Sequence, residues 1–232
     1  MSPESPNTCS IPDGGENELR DTQPAIRRAR TPMRTPSTIE SQRFEHQSRL
    51  TAVLVDAGIA TPAALDAVLA ALYRRLPDRL AHVNRVARLS VAIVRRLNLS
   101  ERAAEDLELA ALVHDLGRLV VPDGEHEQIF ASAAIVSAVP FLGRAADIVL
   151  ASRECLDGSG LPFGVAGHAI SLEARILHVA DAFDAFSVLC SSFAVSAGMA
   201  GAELARHAGT KFDADVVAAC LRCSREMGVE DR

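Results

Sequence analysis

The feature that most constrains the fold is an almost unbroken helical spacing of apolar residues from about residue 45 onward. In one segment Leu80, Val83, Val86 and Leu89 recur every three residues, which places their side chains on one face of an α-helix. Strand-period alternation is not evident, and no internal repeat is found. With 48% hydrophobic residues, one tyrosine and no tryptophan, the core must be aliphatic. The pattern predicts one all-α domain, a bundle of eight to nine helices.

Capping residues and glycines predict where these helices begin and end. Four N-cap candidates precede helical segments: Thr61, Ser100, Ser171 and Asp213. Gly117 is expected to end the helix that Ser100 begins. Further helices are expected over residues 77–97, 125–138, 142–153 and 199–208. The glycine-rich stretch 156–168 is predicted to be a loop.

The first part of the chain differs in composition from the rest. Six of the eleven prolines precede residue 45, and no aromatic residue precedes Phe44. Such a segment buries too little apolar surface to offset its ordering entropy. We therefore expect residues 1–45 to be a disordered tail and residues 46–228 to be the domain. An arginine cluster in the tail, between residues 27 and 34, is either a solvated feature or a docking segment.

Charge and composition exclude several classes of protein. The formal net charge of −6 and the few aromatic residues argue against a nucleic-acid binder, which needs a basic face or stacking aromatics. No apolar run approaches the roughly 18–20 residues that span a bilayer, and no secretory signal is visible. The five cysteines are an odd number without a disulfide framework. The expectation is a cytoplasmic protein.

Four residues with metal-ligating side chains occupy positions where the pattern predicts core. His114 and Asp115 end an apolar helix, while His82 and Asp181 lie in the middle of two others. Burying an unpaired imidazole or carboxylate costs several kcal/mol. Coordination of a divalent cation is one solution, since histidine nitrogen and carboxylate oxygen are both good ligands.

This H…HD…D arrangement in an all-α chain resembles the metal signature of the HD phosphohydrolase superfamily. The segments 156–167 (LDGSGLPFGVAG) and 170–185 (ISLEARILHVADAFDA) resemble the second motif block of its HD-GYP subfamily, and the similarity covers about residues 75–220. The resemblance implies an HD-type bundle, a metal held by His82, His114, Asp115 and Asp181, and a role in bacterial cyclic di-GMP signalling. It also marks a motif loop containing Asp157, Gly158, Gly160 and Pro162.

Departures from the subfamily pattern imply a degenerate member. A His-His-Glu triplet before the loop is replaced by Ser152, Arg153 and Glu154, and another ligand histidine by Gln128. The lysine expected after the HD pair is Arg118. Arg118 and Arg153 are therefore candidates to contact a substrate phosphate. Arg153 either pairs with Asp115 where a second cation would sit or points to solvent. The motif loop is either a phosphate cradle or a tight turn.

Two hypotheses follow from the resemblance. In the first, the domain is a non-catalytic or weakly active signalling module that contacts a protein partner such as a cyclic di-GMP synthase domain. In the second, it is a metal-dependent phosphodiesterase that acts on cyclic di-GMP or a related nucleotide, with Asp115 and a metal-bound water as its catalytic groups. The cofactor would be one divalent metal, with Fe, Mn, Mg, Ni and Zn not distinguished. His178, three residues before Asp181, is either an additional ligand or a neutral, partly buried histidine.

Overall fold

The fold is described by a computed structural model over residues 62–121, 124–192 and 197–228, together with Ala52. These residues form eight α-helices and four short 3-10 segments, with no β-structure beyond two isolated bridges. The helices are α1 (Pro62–Leu72), α2 (Pro77–Arg96), α3 (Glu101–Val113), α4 (Glu125–Ser137), α5 (Gly143–Ala151), α6 (Leu172–Ser192), α7 (Ala197–Arg206) and α8 (Ala214–Glu226). The predicted all-α class and helix number are confirmed.

Three of the predicted caps are formed. The Ser100 hydroxyl accepts a hydrogen bond from the Ala103 N–H at 3.1 Å, and the Ser171 hydroxyl accepts one from the Ala174 N–H at 3.2 Å. The Asp213 carboxylate accepts from two N–H groups in the first turn of α8. These contacts satisfy backbone donors that the first turn of a helix leaves unpaired. Thr61, the predicted tail over residues 1–45 and its arginine cluster lie outside the described residues.

The predicted role of Gly117 as a helix terminator is wrong. Helix α3 ends at Val113, and Gly117 lies inside a following 3-10 segment, Leu116–Leu119. The glycine is needed there for space, because a Cβ atom at this position would lie 2.0 Å from the Gln128 carbonyl oxygen. The close approach of this segment to α4 therefore fixes the turn that carries His114 and Asp115.

Helix α2 holds the central position in the bundle. It packs against α3, α6 and α8, and Val83, Val86 and Ile93 are fully buried along its length. Their spacings of three and seven residues place them on one apolar face of the helix, and burying a side chain of this size contributes about 1.5–3 kcal/mol. Because α3 and α6 both pack on α2, residues from three helical segments meet beside it.

None of the helices in the described part of the chain has the length and apolar character needed to cross a bilayer.

Candidate metal centre

Three predicted ligands converge where α2, the end of α3 and α6 meet. One donor atom each from His82, His114 and Asp181 lies within 4.8 Å of the others. Asp181 Oδ1 lies 3.2 Å from His82 Nε2 and 3.6 Å from His114 Nε2. Two imidazoles and one carboxylate around a common point are a donor set that suits a divalent metal.

The hydrogen bonding of the His114 ring shows that the cluster of His82, His114 and Asp181 fits a metal. Its Nδ1 is 2.7 Å from the Ala111 carbonyl oxygen, to which it donates a proton, so the neutral ring carries its lone pair on Nε2. That Nε2 atom is buried and has no hydrogen-bond partner. A buried polar atom without a partner costs about 1–3 kcal/mol, and a cation between the two imidazoles and Asp181 would satisfy it.

His82 is oriented by a second carboxylate. Its Nδ1 lies 2.7 Å from Asp184 Oδ2, which leaves Nε2 facing Asp181. Arg85 donates two hydrogen bonds to the same Asp184 carboxylate, at 2.6 and 2.9 Å. Burial disfavours the charged imidazole, but hydrogen bonds to Asp181 and Asp184 outweigh it and raise the pKa of His82 to about 9. A carboxylate behind a ligating histidine is a common support for metal sites.

Asp115, the fourth predicted ligand, lies against the cluster but is engaged by arginines. Its Oδ2 accepts from Arg79 at 2.9 Å, and its Oδ1 accepts from Arg118 at 2.8 Å. The same carboxylate lies 3.6 Å from His114 Nε2 and 3.9 Å from His82 Nε2. Burial opposes its ionised form, yet His114 and the two guanidiniums lower the pKa of Asp115. Arg118 thus contacts Asp115, and a third of its side chain is exposed.

Arg153 pairs with Asp181 rather than with Asp115, the partner considered from the sequence. Its guanidinium lies 2.9 Å from Asp181 Oδ2 and 3.1 Å from Glu125 Oε1. Burial of Asp181 favours its neutral form, but Arg153 and the two imidazoles hold the pKa of this carboxyl well below its ordinary range. Asp181 is therefore an anion shared between an imidazole pair and a guanidinium.

Ser132 of α4 fixes the turn that presents His114. Its hydroxyl donates to the His114 carbonyl oxygen at 2.7 Å and accepts from the Gly117 N–H at 2.8 Å. The side chain is buried. One hydroxyl therefore ties both ends of the turn between α3 and the 3-10 segment to α4.

The cluster opens into a cavity of about 510 Å³. Four cationic side chains are among its lining residues: Arg79, Arg118, Arg153 and Lys211. Lys211 is the only lysine of the chain. A cavity with carboxylates and imidazoles at one end and these cations on its walls has the charge pattern that suits a phosphorylated ligand.

The motif loop forms part of the cavity wall. Asp157 Oδ1 accepts from the backbone N–H and the hydroxyl of Ser159, at 2.9 and 2.6 Å, which is the hydrogen bonding of a tight Asx-type turn. Gly158 has a φ of +79°, a conformation that favours glycine. A Cβ at Gly160 would lie 2.2 Å from the Cys155 backbone nitrogen. The loop forms a tight turn at this point, and Gly160 borders the cavity.

Glu154 holds the far side of the same loop. Its buried carboxylate accepts hydrogen bonds from the backbone N–H groups of Phe163 and Val165, at 2.8 and 3.0 Å. Pro162, which follows a cis peptide bond, immediately precedes Phe163. The loop is thus fixed by side chains of the segment that carries Arg153.

The remaining candidates take structural roles. His178 Nδ1 is 2.9 Å from the Glu154 carbonyl oxygen, and its ring packs edge-on against Phe212. Burial, assisted by Arg153, lowers the pKa of His178 to about 4, so this histidine is neutral. Gln128 donates its amide to the Val121 carbonyl oxygen.

Several important residues were not singled out from the sequence. Asp184 is three residues after Asp181, and Arg79 is three residues before His82, so each shares a helix face with a predicted ligand. This three-residue spacing is the sequence signal that could have identified Asp184 and Arg79. Ser132 and Glu125 come from α4 and carry no such signal, because their contacts depend on how α4 packs.

Comparison with known proteins agrees with this arrangement. Residues 125–216 match the family model described as an HD domain. The chain is 34% identical to the cyclic di-GMP phosphodiesterase response regulator RpfG of Xanthomonas campestris, over 61% of this chain and 42% of that protein. It is 37% identical to the 3'3'-cGAMP-specific phosphodiesterase 3 of Vibrio cholerae, over 48% of this chain and 27% of that protein. The chain thus spans less than half the length of these curated relatives.

A solved structure shows the same fold. Bd1817, a HDG"Y"P protein from Bdellovibrio bacteriovorus, aligns with a TM-score of 0.55 and 19% identity, covering 82% of this chain and 66% of that one. The helical bundle and its His/His/Asp cluster define an HD-type domain. The matched HD-domain model and the relatives above, together with the motif segments, support a similarity to the HD-GYP subfamily.

Proposed function

We propose that this domain holds one divalent cation at His82, His114 and Asp181 and hydrolyses a phosphodiester bond of cyclic di-GMP or a related cyclic dinucleotide. The observation that carries the proposal is the buried, unpartnered His114 Nε2, which faces the other two donors. Relatives at 34% and 37% identity are named as phosphodiesterases of cyclic di-GMP and of 3'3'-cGAMP. The two nitrogen donors favour a transition metal over magnesium.

In the proposed reaction, different side chains hold the metal, contact the substrate phosphate and position the arginines. A cation in this group supplies Lewis-acid polarisation of a phosphoryl oxygen and lowers the pKa of water. Arg118 and Arg153 present guanidinium N–H groups to substrate phosphate from the cavity wall. Asp115 holds Arg79 and Arg118 in place, and each of its oxygens keeps a lone pair with which Asp115 can act as a fourth ligand or as a catalytic group. The motif loop contributes Ser159, Gly160 and Leu161 to the cavity wall.

The test combines metal content and turnover on one sample. Elemental analysis should find about one divalent ion per chain, and chromatography should detect linear dinucleotide or mononucleotide products from cyclic di-GMP or 3'3'-cGAMP. His114→Asn should lose both the ion and the turnover. The matched control is His168→Asn, because His168 is exposed and does not line the cavity. A preparation that binds its ion but hydrolyses neither nucleotide contradicts the proposal.

A second function, that of a non-catalytic signalling module, is favoured by a different observation. Arg79, Arg118 and Arg153 pair with three of the four carboxylate oxygens of Asp115 and Asp181, so these buried charges are already largely compensated without a metal. In that case the cavity binds the nucleotide intact, and the domain contacts a partner such as a cyclic di-GMP synthase domain. Calorimetry with cyclic di-GMP in the presence of a chelator distinguishes the two functions, because only the module should bind without metal and without turnover.

A further inference from the structure

The two oxygens of Asp181 face two different kinds of nitrogen partner. Oδ1 lies 3.2 Å from His82 Nε2 and 3.6 Å from His114 Nε2. Oδ2 lies 2.9 Å from an Nη atom of Arg153. One oxygen is thus directed to the proposed metal position, and the other is held by a guanidinium.

Arg153 is fixed at both of its ends. Its backbone carbonyl accepts a hydrogen bond from the Leu161 N–H at 3.0 Å, which ties it to the motif loop. Its guanidinium bridges Asp181 and Glu125, and only 23% of the side chain is exposed. An arginine side chain cannot lose its proton in a protein, so a full positive charge stays beside Oδ2.

A centre with two ions needs oxygen atoms that are free to contact both of them. In two-metal sites the ions lie about 3.5–4 Å apart and clamp the reacting oxygens between them. Here the second oxygen of Asp181 and one oxygen of Glu125 are both engaged by Arg153. A second divalent ion at this side would have to displace a buried ion pair and approach a fixed positive charge.

We propose that Arg153 is a tethered cation that occupies the second oxygen of Asp181 and limits the centre to one divalent ion. The inference rests on the proposed metal site, but not on turnover. Replacing Arg153 by histidine removes the charge and places a nitrogen donor beside Asp181 and Glu125. The structure therefore predicts that this single substitution adds a second ion to the centre.

The experiment is a manganese titration of the chelator-stripped full-length chain, in which electron paramagnetic resonance measures free Mn²⁺. Wild type and Arg153→Lys should each bind one ion, because both retain the positive charge. Arg153→His should bind two ions, with the broadened signal of a spin-coupled pair. Arg153→Ala should bind its first ion about tenfold more tightly, since a neighbouring positive charge is gone. Arg144→Ala is the matched control, because Arg144 pairs with Asp106 and Glu173 away from this cavity.

The outcomes separate this proposal from the phosphodiesterase proposal. The role of Arg153 is overturned if wild type binds two ions or none. It is also overturned if a folded Arg153→His binds only one ion. If Arg153→His does not fold, an unchanged affinity in Arg153→Ala overturns it instead. Wild type that binds one ion and hydrolyses no cyclic dinucleotide refutes the proposed function while the role of Arg153 stands. Wild type that hydrolyses a cyclic dinucleotide with two ions refutes the role of Arg153 and the one-ion stoichiometry, while the phosphodiesterase activity stands.

Discussion

Removing the hydroxyl of Ser132 should loosen the turn that carries the His-Asp pair. Ser132→Ala deletes two buried hydrogen bonds, to the His114 carbonyl oxygen and from the Gly117 N–H. Leaving one buried backbone group without its partner costs about 1–3 kcal/mol. Ser132 is 1% exposed, so the substitution leaves these backbone groups away from bulk solvent. We therefore expect the free energy of unfolding to fall by about 2 kcal/mol.

Urea unfolding of the metal-free protein measures this loss. With a denaturant slope of about 2 kcal/mol per molar, the midpoint should fall by about 1 M. The melting temperature should fall by about 4–8 °C for a domain of this size. Metal affinity should fall as well, because His114 lies in the turn that the hydroxyl ties to α4.

Ser137→Ala provides the matched control on the same helix. The Ser137 hydroxyl is exposed and donates only to the Ala134 carbonyl oxygen within α4. This substitution should change the unfolding free energy by less than about 0.5 kcal/mol. Equal midpoints for Ser132→Ala and Ser137→Ala would refute the argument that the buried hydroxyl supports the turn.

Three further perturbations test other parts of the site. Asp184→Asn should weaken metal binding about 10- to 100-fold, because the carboxylate orients a ligating imidazole; metal titration measures this. Gly160→Ala should destabilise the domain in thermal unfolding, because the added Cβ meets backbone atoms at 2.2 Å. His178 is neutral in the fold and has a pKa of about 4. Its contribution to the free energy of unfolding is therefore complete above the unfolded pKa of about 6.5 and is lost as pH falls towards 4. Between pH 7 and pH 5 the free energy of unfolding of wild type should fall by about 2 kcal/mol more than that of His178→Gln.

Control variants, or an outcome that would contradict the prediction, accompany each of these three tests. Asp147→Asn changes an exposed carboxylate and should leave metal affinity unchanged. If Asp147→Asn weakened metal binding as much as Asp184→Asn, the orienting role of Asp184 would be contradicted. Gly143→Ala adds a Cβ with nothing within 4 Å and should not lower the melting temperature. Parallel pH profiles for wild type and His178→Gln would show that the buried imidazole has no part in acid destabilisation.

Most of the helical fold could be predicted from local patterns. The three-to-four-residue apolar spacing of α2 and the capping residues Ser100, Ser171 and Asp213 depend only on neighbours along the chain. The prediction failed at Gly117, where the requirement for glycine comes from the Gln128 carbonyl oxygen. That contact joins two segments whose approach no local pattern encodes.

The sequence by itself determined the helical class and the residue types available to a metal. His82, His114 and Asp181 stood out because polar side chains interrupt apolar helix faces, and burial makes such positions costly unless the groups are partnered. Only the tertiary structure decided which groups became partners. Packing of α3 and α6 on α2 brought the three donors together, whereas Arg153 reached Asp181 and Arg79 reached Asp115. Distances between side chains on different helices depend on how those helices pack, and electrostatic pairing depends on those distances.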